Sequence, residues 1–479
     1  MSRLASASTR RRFLFLIGGS AAAAIVAACG GSAPPASTPA PAGAQSAGAK
    51  PPADKPAEKP APPATAAPAK AGGATTRIRA TVWIGQAELD ALGKMTNAYK
   101  EKSPGVDVEW INISGGGPYG RDKLQAMIAG GDAPDQMMLN TGQFEGLAGR
   151  GALLPLDDMV KADNADLGIY WPQAVDGSRF GGKLFALPRD MSNVILYYNK
   201  DLFDKASLKY PTDDWGWNDL LEAAKKTTLD KGNSGKINQW GFGIFNFVWA
   251  WAGFVWGNGG EILSADRKKS SFQDSKTVEA LKFYFGLLTE HKVSPPPGAL
   301  PEQATPNDQF RLQSVAMGVF GPWYRPTLVN LPADRKFNWD VAYPPKAPAS
   351  GKRGSVVYTD HWSVGSGSKV ARETWSFMRF LTGKEGQTMW TDLIGARSIS
   401  PVKEVAQTEK WIKYGGSSGQ IILDSLSFSQ APPVNFANAN EAETIWNDEL
   451  GLVIAGQARV EQAVASIDAK LTPVLAANK

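Results

Sequence analysis

Three tryptophans, Trp249, Trp251 and Trp256, crowd the stretch 247-FVWAWAGFVWGNGGE-261. An indole can fill a core or serve as a flat apolar platform for a ligand. The chain holds 16 of them in 479 residues, so both uses are open. On a helix Trp249 and Trp256 share a face about 10 Å apart along the axis, while Trp251 lies roughly 200° round from Trp249. Other chemistries are poorly provided for. Cys29 is the one cysteine, so no disulfide framework is possible, and the two histidines, His291 and His361, are far apart. A histidine or thiolate metal cluster is thereby excluded, and no metal or cofactor is expected. No G-x-S-x-G elbow and no phosphate-cradling loop occur, which leaves neither serine catalysis nor nucleotide hydrolysis a foothold.

The N-terminus carries an address. Residues 1–28 hold Arg3, Arg10, Arg11 and Arg12 and then an apolar run from Phe13 to Ala28. That run is short for a membrane span and reads as an export signal. It ends in Val26-Ala27-Ala28-Cys29, which resembles a bacterial lipobox and implies lipidation of Cys29. Thr9-Arg10-Arg11-Arg12-Phe13-Leu14 also resembles a twin-arginine signal, although Phe15 stands where a lysine is usual. Residues 29–77 are rich in Ala and Pro, cannot bury a core, and read as a disordered tether. Basic residues of these two segments (with Lys50, Lys55, Lys59, Lys70 and Arg77) outweigh the acids Asp54 and Glu58 and more than account for the net charge of +5. The body is close to neutral, which leaves no electrostatic footprint for nucleic acid.

The body opens as an α/β run. Ile78–Trp83, Val106–Ile111 and Gln136–Leu139 have strand character, and 87–102 and 119–131 have helical spacing between them. This order predicts a largely parallel sheet. A further strand is expected at Val194–Tyr198 after a break at Pro188. Helices are expected at 217–228, 275–292 and 372–390.

Segments in this order resemble the extracellular solute-binding proteins of bacterial ABC importers, the family that includes maltose- and oligosaccharide-binding proteins. They are 130-GGDAPDQMML-139, 151-GALLPLDD-158, 182-GKLFALP-188, 195-ILYYNKDLF-203, 215-WGWNDLLEAA-224, 257-GNGGEIL-263, 314-SVAMGVFGPW-323 and 375-WSFMRFLTGKEGQ-387. The resemblance implies a type II periplasmic-binding-protein fold, with two α/β lobes, three interlobe crossings and a ligand cleft. It places the crossings near Pro188–Asn193, Phe310–Met317 and Tyr358–Trp362. Lobe 1 would then be 78–190 with 317–358, and lobe 2 would be 191–316 with 359–479.

Sugars pair apolar C–H faces with hydroxyls, so their sites combine aromatic rings with short polar side chains and arginines. By the resemblance, Trp83 and Gln86 match a first binding loop, and Asn140, Thr141 and Gln143 a second. Asn and Thr also favour plain turns. Arg189 and Asp190 fall at the first crossing, Asp360 and His361 at the third, and His361 could equally be a core residue. Trp249, Trp323 and Trp446 match stacking positions, with Tyr324 beside Trp323. Adjacent tyrosines similar to Tyr197-Tyr198 occur in iron-binding relatives, but alternation along a strand and the lack of a ligand cluster make these structural.

The function implied is capture of a carbohydrate, in the main an oligosaccharide, by a monomer lipid-anchored outside the cytoplasmic membrane. The protein would deliver it to the permease subunits of an ABC importer and catalyse nothing. A receptor for a polyamine or glycerol phosphodiester is the nearest alternative. A glycoside hydrolase would need two flanking carboxylates; Asp190 and Asp360 are the obvious pair, yet nothing in the sequence marks either as a perturbed acid.

Overall fold

A computed structural model describes residues 75–477 except 231, 233, 301–307, 434, 435 and 437. The export signal, Cys29 and nearly all of the tether lie outside the described residues. Among the described residues no helix is long and apolar enough to cross a membrane.

The expected β-α-β-α-β opening is present: β1 (Thr76–Val82), a helix Gln86–Lys102, β2 (Val106–Asn112), a helix Arg121–Ala129 and β3 (Gln136–Leu139). The three strands are parallel. A short hairpin follows, β4 (Arg179–Phe180) with β5 (Lys183–Leu184), and then β6 (Ala186–Asn193) and β7 (Ile195–Asn199). Later come β8 (Trp240–Phe242), β9 (Val315–Phe320), β10 (Trp339–Ala342), β11 (Ser355–Val364) and β12 (Ser429–Gln430).

Two sheets result. In the first the order is β12-β11-β3-β1-β2, with β6 on the other edge of β11. In the second it is β10-β7-β9-β8. The parallel expectation therefore holds for β1–β3, whereas β11 runs antiparallel to β3 and to β6. Each sheet is sealed by its own core. Ile78, Leu92, Tyr99, Trp362, Trp375 and Phe377 pack on the first. Tyr197, Phe242, Trp251, Tyr284, Phe285 and Trp446 pack on the second.

The lobe boundaries differ from expectation. Strand β9 pairs with β7 and β8 throughout, and β10 pairs with β7. Residues 317–342 thus belong to the second lobe, and Phe310–Met317 is no crossing. The segment 359–402 belongs to the first lobe, because β11 extends its sheet and the helices Ala371–Thr382 and Lys384–Ile394 cover it. The chain passes between the cores at Asn193–Ile195, between Ala342 and Ser355, and beyond Val405, where Val402 and Val405 pack with the first core and Ala406 and Trp411 with the second. Periodicity marks strands and helices but does not say which sheet a strand joins, since that choice is made by contacts distant in sequence.

Two local surprises have simple causes. The helix expected over 372–390 is broken at Gly383. The chain turns there so tightly that a Cβ at Gly386 would lie 2.1 Å from the Phe380 carbonyl oxygen. Pro188 does not end a strand but sits inside β6, where the ladder slips: Asp360 faces Asp190, and His361 faces Pro188. Arg189 is the extra residue. Proline has no N–H for the ladder, and a bulge is where a sheet tolerates it.

Candidate functional site

The bulge decides the floor of the cleft. Successive residues of a flat strand point to opposite faces, but here the Arg189 guanidinium reaches back to pair with the Asp190 carboxylate. Both residues are buried. Arg189 Nη2 lies 3.7 Å from Glu88 on the first helix, and Nη1 lies 3.9 Å from Asp360 on β11. The guanidinium carbon is 4.9 Å from the Trp390 ring centroid and 5.9 Å from that of Trp362. Glu88 is paired with Arg397. Burial raises the Asp190 carboxyl, while Arg189 and Ser398 pull it back down. Asp360 is pushed well above the usual carboxylate range by burial and by the Asp190 charge.

One wall belongs to the first lobe. Trp83 follows β1, is half-buried, and donates from Nε1 to the Met138 carbonyl at 3.2 Å. Tyr119 meets it edge-on at 4.9 Å, held in a left-handed turn with φ 53°. Tyr119 is 55% exposed and is an aromatic group that the sequence reading missed. It feels the charges of Asp360 and of Glu443, which comes from the second lobe.

The other wall belongs to the second lobe. The helix Val248–Gly257 turns Ala250, Gly253 and Gly257 to one side. A Cβ at Gly253 would lie 2.8 Å from the Gly354 carbonyl oxygen, so this glycine lets the helix lie against the crossing strand. Trp249 emerges half-buried beside that contact, with Phe245 at 4.9 Å, Phe247 stacked at 6.1 Å and Trp323 edge-on at 6.1 Å. The Trp323 ring folds back over Gly321, where a Cβ would lie 1.9 Å from it. Trp249 also lines a shallow recess with Val194, Val319, Pro344 and Val356. Trp251 is fully buried, and Trp256 is buried as well.

Several expected site residues are placed elsewhere. Trp446 is 0% exposed and packs toward Phe272. Its helix, Ala439–Ile454, instead turns Glu443 to the cleft, one turn earlier and about 60° round. Glu443 interacts with Tyr358 and Tyr119, and burial raises its carboxyl. His361 is buried, stacks on Phe144 at 4.3 Å and contacts Ser178 Oγ through Nδ1 at 3.3 Å. Burial lowers it to about 3, so it is a neutral core residue. Tyr324 is buried against Phe320, with ring centroids 4.2 Å apart. Thr141 is buried and donates to the Thr359 carbonyl. Asn140 and Gln143 cap the helix Thr141–Gly149 reciprocally, and Gln143 Nε2 donates to the Tyr119 carbonyl. Gln86 is exposed and donates to Asp90. Tyr197 and Tyr198 are both buried.

The structure thus joins Arg189, Asp190 and Asp360 into one cluster, brings Trp249 against Trp323, and sets Trp83 against Tyr119. The arrangement can grip a solute with flat apolar faces and hydrogen-bonding edges. It holds no nucleophile–base pair. Among the described residues no group of three or more His, Cys, Asp or Glu side chains is placed to hold a metal ion.

Two α/β lobes joined by three chain passages are the architecture of periplasmic-binding-protein type II folds. An ABC substrate-binding protein of Listeria monocytogenes, solved in complex with cycloalternan, superposes with a TM-score of 0.72 at 27% identity, covering 84% of this chain and 99% of that one. Residues 94–416 match the family model of the bacterial extracellular solute-binding proteins, and the chain belongs to that family. It is 23% identical over 321 residues to the maltooligosaccharide ABC transporter solute-binding lipoprotein of Streptococcus pneumoniae (strain ATCC BAA-255 / R6), covering 65% of this chain and 70% of that protein. It is 22% identical over 399 residues to the galactooligosaccharide-binding protein of Bacillus subtilis, covering 80% and 86%.

Proposed function

We propose that this chain captures a carbohydrate, in the main an oligosaccharide, between its lobes and hands it to the permease of an ABC importer. The reading is supported by an aromatic pair on each lobe, Trp83–Tyr119 on the first and Trp249–Trp323 on the second, and by the polar Arg189–Asp190–Asp360 cluster. Rings take the C–H faces of a sugar, and the floor takes hydroxyls. The solute-binding relatives named above support the same class. Lobe closure would be the state the permease senses. Cys29 would carry the lipid, with residues 29–77 as a tether holding a monomeric body off the outer face of the cytoplasmic membrane. No reaction is part of this reading.

A thermal-shift screen of mono- and oligosaccharides on the purified chain tests it. A ligand at 100 times its Kd stabilises by about 2.7 kcal/mol. The carbohydrate assignment fails if no sugar raises the melting temperature while a polyamine or a glycerol phosphodiester does.

A further inference from the structure

Five charged side chains meet in the first lobe, a few residues before the chain first passes to the second: Glu88, Arg189, Asp190, Asp360 and Arg397. Three are acids and two are bases. Arg397 pairs with Glu88, and Arg189 with Asp190, so both cations are engaged at close range. Asp360 is the odd group. Its carboxylate is 3.9 Å from Arg189 Nη1, beyond a hydrogen bond, and directly across the ladder from Asp190. The other titratable groups around it bring no positive charge, and Arg121 acts on Glu443 rather than on Asp360. Tyr119 comes from the turn Pro118–Gly120, Tyr358 and the neutral, buried His361 from its own strand, and Glu443 from the helix Ala439–Ile454. Ser398 is engaged with Asp190. With every acid ionised the cluster would hold one negative charge without a close counter-ion, in a place where only 21% of the Asp360 side chain meets solvent. Such a charge is relieved most cheaply by taking up a proton.

We propose that Asp360 meets the solute as a neutral carboxylic acid and donates a hydrogen bond to an oxygen of an uncharged, hydroxyl-bearing ligand. A protonated carboxyl has an O–H to give, which a carboxylate lacks. This reading is consistent with the upward push on Asp360 from burial and from Asp190, and it rests on the cleft being the solute site. It makes the cluster selective. A cationic solute would displace the proton, and a neutral one keeps it. Affinity for a neutral solute is then level at low pH and falls by about tenfold per pH unit above the Asp360 pKa.

The first measurement needs no ligand. Infrared difference spectra of the solute-free protein near neutral pH, wild type minus Asp360→Asn, are expected to show the C=O stretch of a protonated carboxyl. The band disappears as the pH is raised. Absence of the band, or its loss in Asp190→Asn while Asp360→Asn keeps it, overturns the proposal. The second measurement is calorimetric titration with the sugar that gives the largest thermal shift, between pH 6 and pH 9. Asp360→Asn should bind within a few-fold of wild type with a flat pH profile, and Asp360→Ala should lose at least tenfold. Equal losses in both variants, or proton release on binding that Asp360→Asn abolishes, overturn it as well. If no sugar shifts the melting temperature, the carbohydrate reading fails, while the infrared result still decides the proton.

Discussion

The floor of the cleft and its second-lobe wall are built on opposite plans. On the floor, Arg189, Asp190, Glu88, Asp360 and Arg397 hold one another, with strands carrying Arg189, Asp190 and Asp360, a helix carrying Glu88, and a bend carrying Arg397. On the wall, Phe247, Trp249 and Trp323 rest against one another edge and face, with part of each ring open. A buried charge owes its place to a partner, so the floor fails as a unit when one member is removed. A half-buried ring owes its place to apolar contact and can be trimmed at modest cost to the fold. The difference predicts that stability resides in the buried Arg189–Asp190 pair, and solute affinity in the wall and in the partly open Asp360.

Arg189→Ala should give the largest loss. It strands Asp190 in the interior, and urea unfolding should report about 3–5 kcal/mol of destabilisation. Arg189→Met with Asp190→Leu should recover much of this, since no buried charge is then left alone. Recovery failing to appear would mean that packing against Trp390 and Trp362, rather than charge, holds the site.

Trp249→Ala should cost the fold about 1–2 kcal/mol, because its ring is only partly buried. It should also abolish the thermal shift produced by the sugar that stabilises the wild type. Trp251→Ala is the control from the same helix. Its ring is fully buried, so about 3–5 kcal/mol should be lost with the sugar response kept. The reverse pattern would show that the wall is a core and not a platform.

The remaining effect is a slope in pH. His361 is held at about 3 in the folded chain against 6.5 ordinarily. Between those values the unfolded chain binds a proton that the folded chain refuses. Its contribution is therefore whole above pH 6.5 and is lost as pH falls toward 3. His361→Gln should flatten melting temperature against pH over that window. Glu145 has the opposite sign: burial raises it from 4.5 to about 8. The stability it contributes is whole below pH 4.5 and is lost as pH rises through 8. Glu145→Gln should flatten the fall between pH 4.5 and pH 8 and leave the slope below pH 4.5 alone.

Much of the fold was legible beforehand. The first three strands and two helices fall where alternation and helical spacing put them, because those patterns record one buried face per element. The candidate site was legible in part. Trp249, Trp323, Arg189, Asp190 and Asp360 were singled out and come together in two clusters. Asn140 and Gln143 were also singled out, yet they close a capping box, the turn role that their residue types equally allow. Tyr119 and Glu443 went unseen because neither stands in a motif. The small-residue stripe Ala250, Gly253, Gly257 was a readable sign of close packing that was passed over.

The sequence by itself determined the class of the chain: an α/β body, an N-terminal segment like an export signal, no metal-binding cysteine–histidine set, and the ordered segments of the solute-binding family. Tertiary structure alone decided which lobe owns residues 317–402 and which face of each aromatic helix looks into the cleft. Trp446 and Glu443 sit three residues apart on one helix, and only the packing of that helix on Phe272 buries the first and turns out the second. The same holds at the bulge in β6. The letters Pro-Arg-Asp do not announce a bulge. It takes β11 alongside to slip the ladder at Pro188, bring Arg189 onto Asp190, and leave Asp360 without a cation of its own.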